Sequence, residues 1–158
     1  MKNFHTADIC DARPDAKIID IAFRDYGRRR IFHGPVTTIK AFEDNSLVHA
    51  ALEEKGNGRV LVVDGGGSLN RSMLGGQLAA KAALNNWSGI VVLAAVRDIH
   101  EIAMIDIAVK ALGTCPQKTN KQGQGTRDVT VKVGSIPVHP GDYLYADEDG
   151  IVILDKPI

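Results

Sequence analysis

Apolar residues fall along the chain in short bursts whose spacing changes from segment to segment. In residues 44–55, Leu47, Val48, Ala51 and Leu52 share one helical face, with Asp44 or Asn45 as a cap and Gly56 as terminator. The run Arg59-Val60-Leu61-Val62-Val63-Asp64 has no helical period. It is short, β-branched and bounded by glycines, the pattern of a strand buried on both faces. Gly65-Gly66-Gly67-Ser68 breaks it. A second helix is expected from about Gly75 to about Asn86, with Leu78, Ala79, Ala82 and Ala83 as a narrow apolar face. Gly89-Ile90-Val91-Val92-Leu93-Ala94-Ala95-Val96 is a second buried strand. Arg97 and Asp98 lie at its carboxyl end, where a short helix should begin.

Strand, helix and strand in succession imply a parallel, right-handed βαβ unit. The last third reads differently. Val129-Thr130-Val131-Lys132-Val133 alternates, Pro140-Gly141-Asp142 is a turn, and Gly150-Ile151-Val152-Ile153-Leu154 is a closing strand. The expected class is therefore α/β with an additional, partly antiparallel β layer.

Length changes this picture little: 158 residues suit one domain, 1–158, without linker or repeat. Charge narrows the function classes. Nineteen basic side chains balance nineteen acidic ones, leaving no general field for nucleic acid or an anionic membrane. The cluster Arg28-Arg29-Arg30 reads as a solvated loop. Two distant cysteines, Cys10 and Cys115, have no metal-ligand spacing and suit a reducing compartment. No signal-like or membrane-length apolar run is present, so a cytoplasmic location is expected.

Several site signatures fail on inspection. The third glycine of a dinucleotide loop starting at Gly65 would be position 70, which is Asn70. There is no phosphate-binding G-x-x-x-x-G-K-[ST] and no G-x-S-x-G elbow. His100-Glu101 lacks its second histidine, because position 104 is Met104. The five histidines show no paired ligand spacing.

Two loops remain, each following a buried strand, where ligands gather in open α/β sheets. Gly75-Gly76-Gln77-Leu78 opens a helix, whose free N–H groups and positive dipole end suit a small carboxylate or phosphate. The same residues are equally those of a tight loop-to-helix junction. Arg97 offers a planar fork for a carboxylate, and Asp98 and Glu101 fall on one helical face. One or two carboxylates plus waters suit Mg²⁺. Acids at a helix start also simply complement its dipole.

At these residues the chain resembles a known family, the regulator of ribonuclease E activity A and the related 4-hydroxy-4-methyl-2-oxoglutarate aldolases. The matching stretches are Thr6-Ala7-Asp8-Ile9-Cys10-Asp11, Gly34-Pro35-Val36-Thr37-Thr38, Phe42-Glu43-Asp44-Asn45, the run from Arg59 through Gly67, and Gly141-Asp142-Tyr143-Leu144-Tyr145-Ala146-Asp147. Active aldolases of the family look like G-x20-R-D-x2-[ED]. Gly76, Arg97, Asp98 and Glu101 complete that pattern, whereas regulators without activity tend to lose the aspartate.

The resemblance implies a three-layer β/β/α fold with a mixed sheet, like the swivelling phosphohistidine domain, assembled as a homotrimer. It implies that Gly75, Gly76, Gln77 and Leu78 bind the substrate carboxylate through backbone amides. Arg97 would contact the keto-acid oxygens, Asp98 would ligate a divalent cation (Mg²⁺ or Mn²⁺), and Glu101 would orient a water on it. The implied activity is metal-dependent cleavage of a 4-hydroxy-2-oxo acid to pyruvate, with oxaloacetate decarboxylation beside it. The alternative it implies is a protein-binding inhibitor of ribonuclease E or its helicase partners.

Overall fold

A computed structural model describes residues 3–158. Helix α1 (Thr6–Ala12) precedes three strands, β1 (Lys17–Ile18), β2 (Arg24–Asp25) and β3 (Phe32–Lys40). Then come α2 (Ser46–Leu52), β4 (Val60–Asp64), β5 (Ser72–Leu74), α3 (Gly76–Leu84), β6 (Gly89–Val96) and α4 (Ile99–Ile102). The remaining chain is strand and loop: β7 (Ala108–Thr114), β8 (Thr126–Arg127), β9 (Val131–Val133), β10 (Ile136–Val138), β11 (Tyr143–Ala146) and β12 (Ile151–Leu154).

The main sheet runs β1-β12-β11-β3-β4-β6-β7-β2, with β5 added to β6 and β8 to β3. Strands β3, β4, β6 and β7 are mutually parallel, and β11 and β12 are antiparallel to their neighbours. Strand β3 belongs to both regions. Its first half, Phe32 to Pro35, pairs with β11, and its second half, Val36 to Lys40, pairs with β4. The expected mixed sheet follows from this shared strand.

Side-chain alternation divides the core into layers. In β4, Leu61 and Val63 face α2 and α3, whereas Val60 and Val62 face the second β layer with Leu144, Ile151, Val131 and Val138. Both faces are covered, which is why all four residues are fully buried and the run reads as continuously apolar. A smaller cluster seats Ile9 of α1 on Tyr145, Val152 and Leu154. The order is helices, parallel sheet, antiparallel sheet, which is the expected three-layer arrangement.

Boundaries differ from the sequence reading at two places. The helix expected over 44–55 is Ser46–Leu52. Asn45 stands at its N-cap position without a side-chain cap, and Asp44 accepts from Ser46 N instead, at 2.9 Å. Both side chains are engaged elsewhere, so the chain before Ser46 cannot coil. The alternating run 129–133 is a strand only over Val131–Val133, paired with β10 as a hairpin. Lys110 in β7 is buried, with Nζ 3.0 Å from Asp25 and 2.9 Å from the Asp147 carbonyl.

Candidate active site

Parallel strands release their following loops at one edge, and that edge holds the site. Strand β5 lies beside β6, with Leu74 in register with Val96. Their next residues, Gly75 and Arg97, are therefore neighbours. On the other side of β6, Val96 pairs with Thr114, so the loop after β7 leaves at the same edge. Lys118 in that loop bridges back to Ser72. The carboxyl end of β3 leads to Asp44 and Asn45 nearby. These segments enclose a cleft of about 380 Å³ lined by Gly75, Gln77, Leu78, Arg97, Asp98 and Glu101, together with Asn45, His49, Ser72, Lys118 and Lys121.

The Gly76 N–H donates to Asp98 Oδ2 at 3.0 Å. This joins the start of α3 to the Arg97–Asp98 loop within one chain. Asp98 adopts a left-handed conformation, φ 57°, at the turn into α4. Aspartate tolerates that region better than most residues. The two glycines let the carboxylates approach closely. A Cβ on Gly75 would lie 2.8 Å from Asp98 Oδ2, and one on Gly76 would lie 2.2 Å from Glu101 Oε2. Gly76 does not line the cleft itself, but it brings both carboxylates to the helix start. Gly75 at the N-cap position offers no side-chain cap, so the first-turn amides of Gln77 and Leu78, residues that line the cleft, have no partner from their own helix. The Leu78 side chain is in the core, leaving its backbone as the functional part.

Arg97 has no carboxylate partner among the described residues; its Nη1 donates to the Pro116 carbonyl at 3.3 Å. Its fork is thus available for an anion. Asp98 and Glu101 are exposed at the cleft mouth. No group of three or more His, Cys, Asp or Glu able to cage a metal occurs among the described residues. The donor set fits a hard cation keeping several waters: carboxylate oxygens of Asp98, with Glu101 beside the same backbone position, and neither thiolate nor paired imidazole. Burial, then the charges of Lys121 and Lys81, lower the His49 pKa, so its ring is neutral at pH 7.

All seven residues expected from sequence line this cleft or, in the case of Gly76, abut it. Five others, Asn45, His49, Ser72, Lys118 and Lys121, were not expected. Asn45 was expected only as a helix cap and as part of a stretch that carries the resemblance. Lys118 and Lys121 sit in a polar loop with no period.

A family model for RraA-like proteins, described as Aldolase/RraA, matches residues 6–153. The chain belongs to the RraA-like family. A relative of this RraA-like chain in Alkalilimnicola ehrlichii, 55% identical over 94% of this chain and 92% of its own length, bears the name "Putative 4-hydroxy-4-methyl-2-oxoglutarate aldolase". A solved structure from Thermus thermophilis, described as the RNA-processing inhibitor RraA, superposes with TM-score 0.97 at 44% identity. It covers 99% of this chain and 96% of that one. A Geobacillus kaustophilus structure, described as an S-adenosylmethionine:2-dimethylmenaquinone methyltransferase, gives TM-score 0.96 at 43% identity, over 98% and 97% of the two chains. Among the described residues no helix is long and apolar enough to cross a membrane.

Proposed function

We propose that this chain is a divalent-metal-dependent pyruvate lyase. Its substrate is 4-hydroxy-4-methyl-2-oxoglutarate or a related 4-hydroxy-2-oxo acid, and it decarboxylates oxaloacetate as a side reaction. The observation that carries the reading is the 3.0 Å contact between Gly76 N and Asp98, which sets an anion-binding helix start against the Arg97–Asp98 pair. Names borne by close relatives support the aldolase class.

The keto-acid end of the substrate binds where three features meet. Amides of Gln77 and Leu78 at the positive end of α3 take the C1 carboxylate. The Arg97 fork takes a carboxylate oxygen and the C2 oxygen. Asp98, with Glu101 beside it, would hold Mg²⁺ or Mn²⁺, which when bound supplies a Lewis acid at the C2 oxygen. Cleavage removes the 4-hydroxyl proton, breaks the C3–C4 bond and sends its electron pair to the C2 oxygen as an enolate. The C4 fragment leaves as a second 2-oxo acid. Glu101, exposed at the mouth, is placed to take that hydroxyl proton directly or through one water, and to return a proton to C3. Arg97 faces the growing negative charge, where a preorganised cation contributes most. Loss of CO₂ from oxaloacetate gives the same enolate, so the same groups serve it.

The methyltransferase description of the Geobacillus relative is not extended to this chain, whose glycine-rich turn lacks the third dinucleotide-loop glycine at Asn70. In a second reading this chain forms a homotrimer whose surface binds ribonuclease E or an associated helicase; the description of the Thermus structure as an RNA-processing inhibitor favours it. Exposed Leu84, Met104 and Phe42 are side chains that such contacts would cover. A coupled pyruvate assay tests the first reading. Wild-type protein with Mg²⁺ releases pyruvate and Asp98→Ala does not. Equal release by both proteins overturns it, and capture of ribonuclease E by both supports the second.

A further inference from the structure

The segment between β7 and β8 is long and irregular, yet its backbone is tied to the body of the protein throughout. Gln117 O accepts from Ser72 N at 2.7 Å, and Lys118 O from Arg71 at 3.3 Å. Thr119 Oγ1 donates to Asn45 Oδ1 at 2.7 Å. Gly123 N donates to Ser46 Oγ at 3.1 Å. The densest knot is Asp44, which is 2% exposed. Its Oδ1 accepts from Ser46 N and Ser46 Oγ, at 2.9 and 2.6 Å. Its Oδ2 accepts from Gln122 N and Gln124 N, at 2.8 and 3.1 Å. Four donors saturate the carboxylate, and Asp44 does not line the catalytic cleft.

What the tied segment carries into the cleft is positive charge. Lys118 and Lys121 line it, and neither has a carboxylate partner among the described residues. The keto-acid end of a substrate is already served by Arg97 and the start of α3, so these two cations are left for a second anionic group.

We propose that Asp44 is a positioning residue that clamps residues 117–124, so that Lys118 and Lys121 select 2-oxo acids bearing a second carboxylate. The inference rests on the lyase reading and adds the residues that would give that site its preference for a dicarboxylate. Burial opposes the charge on Asp44, but the Ser46 hydroxyl and the amides of Ser46, Gln124 and Gln122 outweigh it and hold the pKa at about 2. The clamp is therefore charged at every pH at which the enzyme would work.

Asp44→Asn tests the clamp. Its amide –NH₂ must face either the Ser46 pair or the Gln122 and Gln124 amides, donor against donor, so one side opens. Steady-state kinetics are measured on the full chain with 4-hydroxy-4-methyl-2-oxoglutarate and with the monocarboxylate 4-hydroxy-2-oxopentanoate. The expected result is a KM for the dicarboxylate raised about tenfold or more with kcat changed less than about threefold, the loss of one weakened charged hydrogen bond. The monocarboxylate kcat/KM should move less than about threefold, and hydrogen exchange at Gln122 and Gln124 should quicken. Lys121→Met added to Asp44→Asn should cost less than the product of the single losses, since Asp44 acts through the lysines. Equal losses for both substrates, multiplying losses, or unchanged exchange overturn the proposal.

Should Asp44→Asn fail to fold, Ser46→Ala removes the Gly123 tie and one of the four donors to Asp44, keeping the carboxylate and its Gln122 and Gln124 bonds, and must shift the same preference in the same direction. Wild-type protein inactive on both substrates would sink the lyase reading, and the clamp is then read from binding. Calorimetry with 2-oxoglutarate and pyruvate supports it where Asp44→Asn weakens only the former, and overturns it where both weaken alike.

Discussion

Alanine at position 76 would place its Cβ 2.2 Å from Glu101 Oε2 and 2.3 Å from Glu101 Cδ. Those atoms must move, but they end an exposed, flexible side chain. A rotamer change relieves the clash at a cost of about 1 kcal/mol. Alanine is better than glycine within a helix by about 0.5–1 kcal/mol, which offsets that cost. Net stability should stay within about 1 kcal/mol, a Tm change under roughly 4 °C for a domain of this size. Chemistry should not be spared. Moving a catalytic carboxylate by an ångström or more costs about 100-fold in rate. Thermal melts paired with pyruvate release therefore separate folding from catalysis. A kcat within about threefold of wild type, or a Tm fall beyond about 10 °C, would refute the reasoning: the first frees Glu101 of any role, the second shows it cannot swing aside.

Other substitutions read other parts of the site and frame. Arg97→Lys keeps the charge but loses the planar fork, so kcat/KM for a 2-oxo acid should fall about 10–100-fold, measured by the same assay. Asp44 has its pKa depressed from 3.8 to about 2, so its contribution is present above pH 4 and disappears as pH falls through about 2. That shift corresponds to about 2 kcal/mol, and urea titrations of wild type and Asp44→Asn should differ by about that at pH 7 and converge between pH 4 and pH 2. Asp25→Ala strands the buried Lys110 ammonium, leaving the Asp147 carbonyl at 2.9 Å and no carboxylate within reach. The loss should be about 3–5 kcal/mol in chemical denaturation, and a smaller loss from Lys110→Met would mark the stranded charge as its cause.

How far the chain could be read in advance depended on where each residue's partners lie. Strands β4 and β6 were legible because helices cover one face and the second β layer the other, which forces an unbroken apolar run. Strand β3 was not, although it is nine residues long. Gly34-Pro35 interrupts it, and Thr37 and Thr38 are buried with polar partners supplied from Arg59 and the Val129 carbonyl. Strand β7 hid behind Lys110, a charge neutralised by Asp25 from a distant strand. The site divided in the same way. Gly75 through Leu78 declared themselves as a glycine-led helix start and Arg97 through Glu101 by lying just after a buried strand, whereas the short strand β5 before Gly75 was not legible. Asn45, His49, Ser72, Lys118 and Lys121 reach the cleft through long-range ties such as Thr119 to Asn45, which no local window contains.

The central claim is that the start of α3, Arg97 and Asp98 jointly grip a keto acid chelated to a divalent cation. Calorimetric titration with oxalate, a planar mimic of the pyruvate enolate, tests this most directly. Oxalate should bind tightly only when Mg²⁺ or Mn²⁺ is present, and Asp98→Ala should abolish the cation-dependent part. Binding of equal strength in EDTA, or undiminished in Asp98→Ala, would contradict it.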